Sequence, residues 1–280
     1  MSELFDQIRK SKVYDLAEPY FAGMPHYPTH PPFLFGLTKK HGDLVAEGGV
    51  SSAADSIALG SHVGTHIDAL CHFSCGGKLY GGIEARAVQS DAGGIREHSV
   101  DTIAPILRRG VLLDIAGQLN MDALPTDFAI TPEHLNAAAR AEIQSGDVVL
   151  LRTGWARYWN DAARYITGGV GAAPSGPGPE LEGARWLSKH GVFAAGSDTV
   201  AFEKVPAASM PVHVHFLVES GIHIIEALNL EELARDRIYE FVFVAAPLKI
   251  RGGTGSPIRP LALVGRPIMA AAGLPAGRTR

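Results

Sequence analysis

Three histidines and an aspartate fall within eleven residues in the run Ser61-His62-Val63-Gly64-Thr65-His66-Ile67-Asp68-Ala69-Leu70-Cys71-His72-Phe73. His62, His66, Asp68 and His72 all occupy even-numbered positions, and in an extended strand side chains of equal parity share one face. A helix would align His62 with His66 but send Asp68 elsewhere. A straight strand fails in one respect. At ~3.3 Å per residue, His62 and His66 would stand about 13 Å apart, whereas two ligands of one ion must each come within about 2.0–2.2 Å of it. The backbone must fold back between them, and Gly64 is the residue best able to take the required bulge or positive φ. Two imidazoles and a carboxylate leave coordination positions open for water, as in catalytic sites. A divalent ion held there would bring the pKa of its water to about 7 and polarise a substrate carbonyl. His72, with an ordinary pKa near 6.5, is placed to remove or return a proton. One His-x3-His pair among twelve histidines would more often be core or surface packing. Four groups in phase, with a glycine between the first two, point instead to a metal-dependent hydrolase.

Other residues are weaker candidates. Gly196-Ser197-Asp198-Thr199 follows an apolar strand, where loops commonly carry function, although an aspartate there equally suits a turn cap. Glu203 nearby is weaker still. Glu226 ends the apolar run Gly221–Ile225 and must be paired, hydrated or metal-bound if that strand is buried, or solvated if the strand has already ended. His223 is off the parity of Ile222, Ile224 and Glu226 and is expected to face elsewhere. Phe33, Phe35, Trp155 and Phe202 offer an aromatic wall for a planar substrate, though each is more often core. The two cysteines, Cys71 and Cys75, read as free thiols. Glu231 and Glu232 with Arg235 and Arg237 read as a solvated helical face.

These groups must be positioned by strands expected at Val13–Leu16, Ser56–Leu59, Gly110–Ile115, Asp147–Arg152, Val192–Ala195, Gly221–Ile225 and Tyr239–Ala245, all short apolar runs bounded by Gly, Asp or Pro. Thr131 as N-cap with Pro132 behind it predicts a helix to about Gln144. A second helix is expected from Pro179 to His190, with Gly191 as its stop. Tyr20–Pro32, with four prolines, and Gly168–Pro179 read as irregular connections. Alternating strands and helices predict an α/β protein, one domain over residues 1–280, with a mixed sheet or barrel-like β core flanked by helices. The chain has 280 residues, 46% apolar and 19% charged, with a net charge of −4. No basic stripe supports nucleic-acid binding, and no apolar run reaches the ~18 residues that span a bilayer. Residues Met1–Lys12 lack the apolar stretch of a signal peptide, so the cytoplasm is the default location.

The run H-V-G-T-H-I-D-A-L-C-H-F resembles the His-x-Gly-Thr-His-x-Asp-x-Pro-x-His-Phe signature of the cyclase family, which includes bacterial kynurenine formamidases and isatin hydrolases. Leu70 stands where proline is usual. Tyr14-Asp15-Leu16, with Gly23-Met24-Pro25 and Pro28, resembles the family's opening strand and proline-rich loop. Pro211-Val212-His213, with Gly221-Ile222 and Ile224-Ile225-Glu226, resembles its later motif, and Gly196–Thr199 its pocket-lining Gly-x-Asp-Thr segment. The resemblance implies a swivelling β/α/β-like fold, His62, His66 and Asp68 as metal ligands, and His72 as acid/base. It further implies that His213, or its close rival His215, and Glu226 serve a second metal or the substrate, with Asp198 in the pocket. One or two ions, Mn2+ or Zn2+, and a homodimer or homotetramer acting on a small molecule are its other implications. The extra chain around Gly168–Pro179 favours the longer isatin-hydrolase-like branch.

The expected reaction is hydrolysis of a C–N bond in a cyclic or N-acyl aromatic amide, with His72 moving a proton toward the leaving nitrogen. The alternatives are kynurenine formamidase proper, a lactone hydrolase or a lyase or cyclase acting through an enolate, and a metal-binding sensor or scaffold without turnover.

Overall fold

A computed structural model describes residues 2–169, 171 and 173–265. Nine strands form one mixed, curled sheet flanked by helices. In chain order they are β1 (Lys12–Asp15), β2 (His66–Asp68), β3 (Ile106–Asp114), β4 (Val148–Arg152), β5 (Ala194–Ser197), β6 (His223–Glu226), β7 (Glu240–Ala245), β8 (Gly255–Pro257) and β9 (Leu261–Val264). Their spatial order is β1-β9-β7-β3-β4-β5-β6-β2-β8. The middle of the sheet, β3 to β6, is parallel, while β2, β7, β8, β9 and β1 pair antiparallel.

The parallel strands are apolar at consecutive positions because both faces are covered. Val111, Leu113, Val149, Leu151, Ala195 and Ile224 pack on one face, beneath the helices Pro132–Ala138 and Leu181–Lys189 and the helical segment 211–220. Leu112, Val148, Leu150, Ala194 and Ile225 face the other layer, which also holds Ile67, Phe241, Phe243 and Leu233 of helix Glu231–Arg235. The segment Val214–Ser220 is wound as a π-helix directly behind the one-turn helix Pro211–His213.

The expected strands all occur with boundaries moved by a few residues, save that Ala54–Ala58 belongs to a separate ribbon with Leu34–Lys39. The helix expected to reach Gln144 stops at Ala138. There Ala139 turns extended, and the chain bends inward to bury Ile143. Asp147 then caps the backbone of Gln144 at 2.8 Å. The second helix starts at Leu181, because Gly178-Pro179 pair instead with Ala129-Ile130. Thus the irregular connection 168–179 ends in a short bridge; residues 170 and 172 within it, like 266–280 of the expected domain, lie outside the described residues.

Asp198, expected at the pocket, instead ties two strand ends together. Its buried carboxylate accepts hydrogen bonds from the Thr153 hydroxyl (2.6 Å) and the backbone N–H groups of Thr153 (2.9 Å), Gly154 (2.8 Å) and Trp155 (3.1 Å). All four donors come from the turn that follows β4, so both carboxylate oxygens are engaged there rather than in the cavity. Burial raises its pKa to about 6. Asp198→Ala is expected to lower unfolding free energy in urea by at least ~3 kcal/mol, because buried donors lose their acceptor, and Asp198→Asn by less.

Candidate metal and catalytic site

The site is built where β2 lies between β6 and β8. The register sets Glu226 beside His66 and Ile224 beside Asp68, so His66, Asp68 and Glu226 project on one face. On the other side, Gly255 is paired with Asp68. A Cβ at Gly255 would come within 2.5 Å of the His62 ring, so the missing side chain is the space that His62 fills.

The extended stretch is shorter than parity alone implies, because only His66–Asp68 is strand. Two bends gather the remaining histidines. Gly64, at φ +71, turns the chain back at His62, and a Cβ there would lie 2.4 Å from the Tyr20 ring. The Tyr20 hydroxyl spans the bend, within 3.0 Å of the Val63 carbonyl and 2.9 Å of the Thr65 carbonyl. The 3-10 turn Leu70–His72 returns His72, which stacks on His62 at a centroid distance of 3.7 Å.

Two groups of donor atoms share Asp68: His62, Asp68 and His72 form one, and His66, Asp68 and Glu226 the other, each with its atoms within 4.8 Å. His66 Nδ1–H donates to the Gly64 carbonyl at 2.8 Å, which turns Nε2 toward the carboxylates. That Nε2 stands 3.4 Å from Asp68 Oδ1 and 3.4 Å from Glu226 Oε2. His213 Nε2 stands 3.2 Å from Glu226 Oε1 and 3.9 Å from Asp68 Oδ2. Two atoms each ~2.1 Å from a common ion, at coordination angles of ~90–110°, are themselves about 3.0–3.4 Å apart. Most of these separations match that spacing. His66 Nε2 and Asp68 Oδ2 are also buried with no hydrogen-bond partner, which native interiors rarely tolerate. The donor set therefore fits a divalent cation. His62 is engaged differently, with Nδ1 on Asp68 Oδ1 (2.6 Å) and Nε2 on the Thr254 hydroxyl (2.9 Å).

The electrostatics follow from these pairings. Burial opposes charge on His66, but Asp68 and Glu226 outweigh it and raise its pKa to about 10. His213 is likewise raised to about 10, against burial, by Glu203 and Glu226. Burial also opposes charge on both acids, yet His72 and His62 hold Asp68 well below the usual carboxylate range, and His213 and His66 bring Glu226 to about 2. His72 behaves oppositely: burial dominates and depresses it to about 3, so it is neutral at neutral pH.

A cavity of about 200 Å³ opens over this cluster. Tyr27, Phe73, Val200, Ala201 and Met210 form apolar walls, above His30, His62, His72, His213 and Glu226. A wider groove of about 680 Å³ along Asp15–Tyr20 contains no imidazole, so size does not mark the chemistry. Of the two rival histidines, His213 is buried in the cluster, whereas His215 turns away to Ser188 (2.9 Å) and Glu219 (2.8 Å). Phe33 is buried against Tyr20 outside the cavity lining, and Phe35 is 53% exposed on the ribbon. Neither supplies the wall expected of it, because the proline-rich loop puts Tyr27 there first. His223 faces the backbone, with Nδ1 2.9 Å from the Asp68 carbonyl. Sequence reasoning missed His30, whose ring lies 5.3 Å from His62 and whose Nδ1–H donates to the His62 carbonyl at 3.2 Å. It also missed Thr254, Gly255 and Tyr27. Their only signal is pairing across the fold.

Since His66 and His213 hold protons at pH 7, cation uptake must displace up to about two of them. Zn2+ added to weakly buffered protein should release protons, with affinity rising between pH 6 and 8, and His66→Gln should release about one fewer. Zinc uptake without proton release would contradict this pairing.

Comparison with known proteins agrees with this architecture. A model of the Cyclase family matches residues 14–204. An isatin hydrolase from Roseibium aggregatum is 29% identical over 214 residues, 74% of this chain and 73% of its own length. A kynurenine formamidase from Bacillus cytotoxicus is 24% identical over 254 residues, 90% of this chain and 97% of its own. The crystal structure of a novel cyclase superposes with a TM-score of 0.82 at 28% identity, covering 94% of this chain and 90% of that one. The family match runs through the proline-rich loop, both bends and the first four clustered side chains, over more than half the chain, and this protein therefore belongs to the Cyclase family.

Proposed function

We propose that this protein is a metal-dependent hydrolase opening the C–N bond of a small, neutral, cyclic or N-acyl aromatic amide, as the relative named isatin hydrolase does to isatin. The observation that carries the substrate class is the cavity lining: aromatic and aliphatic walls over imidazoles and one acid, with neither lysine nor arginine among the described lining residues. A flat neutral ring loses little on entering such a space. His66, Asp68 and Glu226, with His62 and His213 beside them, are the residues that would hold one or two divalent cations, and Mn2+ and Zn2+ both suit such donors. Bound there, a cation supplies an acidified water and polarises a carbonyl at neutral pH.

The protein's own groups do the rest. His72 stacks on His62 and lines the cavity, which places its imidazole to carry a proton between water and the departing nitrogen. Tyr27 and Phe73 flank the ring, Phe73 lying 4.9 Å from His213. His30 donates from Nδ1 to a carbonyl, which leaves Nε2 as an acceptor for a lactam N–H. No helix among the described residues is long and apolar enough to cross a membrane; a cytoplasmic location and a homodimer or homotetramer belong to the same proposal.

Coverage favours a second reading, kynurenine formamidase, since that relative aligns over 97% of its length. Its substrate carries an amino-acid carboxylate, for which the described lining residues offer neither lysine nor arginine. The test is turnover of isatin and N-formylkynurenine in 18O-labelled water. Hydrolysis predicts one labelled oxygen in the carboxylate product, preference for isatin, loss on chelation, and a fall in kcat of about 10²–10⁴ for His72→Ala at unchanged metal content. Product without label would move the reaction to a lyase, and wild-type turnover in His72→Ala would remove the proton carrier.

A further inference from the structure

Glu203 is 1% exposed, lies outside both groups of clustered donor atoms, and spends its carboxylate on one neighbour's segment. Its Oε1 accepts from His213 Nδ1–H at 2.6 Å and from the His213 backbone N–H at 2.9 Å, and Oε2 faces the Val212 N–H at 3.4 Å. An imidazole whose Nδ1 carries the hydrogen bond to a carboxylate presents Nε2 on the other side of the ring. Here that atom faces Glu226 and Asp68. The residue immediately before acts on the partner acid, since the Phe202 backbone N–H donates to Glu226 Oε1 at 2.7 Å. One dipeptide, Phe202-Glu203, therefore grips both members of the His213–Glu226 pair from behind.

We propose that Glu203 is a positioning residue for the cation site: it fixes the ring orientation and tautomer of His213, so that Nε2 is delivered as a donor atom next to Asp68 and Glu226. The assignment rests on the cation site proposed above. Carboxylates behind ligating histidines orient the ring and raise its basicity, and their loss typically costs 10–100-fold in metal affinity. A simple helix-capping role would be confined to the two backbone N–H groups and would leave the ring free.

The test measures affinity for Zn2+ alone, by competition with a chromophoric chelator, in wild type, Glu203→Gln, His213→Asn and the double variant. The Nδ1–H proton signal of His213 in the Zn2+-loaded protein is followed in parallel. Glu203→Gln keeps the volume and an acceptor oxygen but not the charge, so the fold is retained while affinity is expected to fall about 10-fold, and Glu203→Ala to fall further. In the His213→Asn background the Glu203→Gln step should have no effect, because the ring it acts through is gone. Wild-type affinity in folded Glu203→Gln and Glu203→Ala would overturn the proposal, as would an equal loss with and without His213. Wild-type protein that binds no Zn2+ would instead sink the cation site itself, and this assignment with it.

Discussion

Asp68 and Glu226 sit diagonally across two paired strands, almost entirely out of water, and both are held ionised. Uncompensated burial of even one carboxylate costs several kcal/mol. The fold answers this by aiming His66 and His213 at the same point, where the two acids raise the proton affinity of both rings. The arrangement is therefore a site that protons and a divalent ion compete to fill. His72, at the rim of the same cluster, is pushed the other way by burial and stays neutral. One patch of sheet thus holds groups of opposite proton affinity, the condition for separating charge stabilisation from proton transfer.

Much of the surrounding structure is required by that patch. Gly64 and Tyr20 form the hairpin-like bend that sets His62 over Gly255, a place on the neighbouring strand without a side chain. His66 is oriented by its own chain, through the Gly64 carbonyl, and His213 by a distant carboxylate. The parallel centre of the sheet, buried on both faces, supplies a rigid base, and Asp198 locks the ends of β4 and β5 beside it.

The chemistry was more legible in the sequence than the elements that hold it. His62, His66, Asp68 and His72 are local, and the need for a bend at Gly64 follows from distance alone. The apolar runs at 148–152 and 223–226 announce themselves as strands because they are buried on both faces. By contrast, β8 and β9 are short and rich in Gly, Pro and Leu, so no periodicity marks them. Thr254 and Gly255 lie 192 and 193 positions along the chain from His62, and the register of β8 brings them together. His30 sits in a proline-rich loop where no repeat constrains side-chain direction. Asp198 and His215 face away from the cavity for a common reason: each is claimed by polar partners, Thr153–Trp155 for Asp198 and Ser188 with Glu219 for His215, and a motif does not reveal where such partners lie.

The account stands on a cation between His66, Asp68 and Glu226. Anomalous diffraction collected at the metal absorption edge, from crystals of protein loaded with Mn2+ or Zn2+, tests it most directly. The predicted result is a peak within about 2.0–2.2 Å of His66 Nε2 and a carboxylate oxygen of Asp68. A peak confined to surface carboxylates, or none at full metal loading, would contradict it.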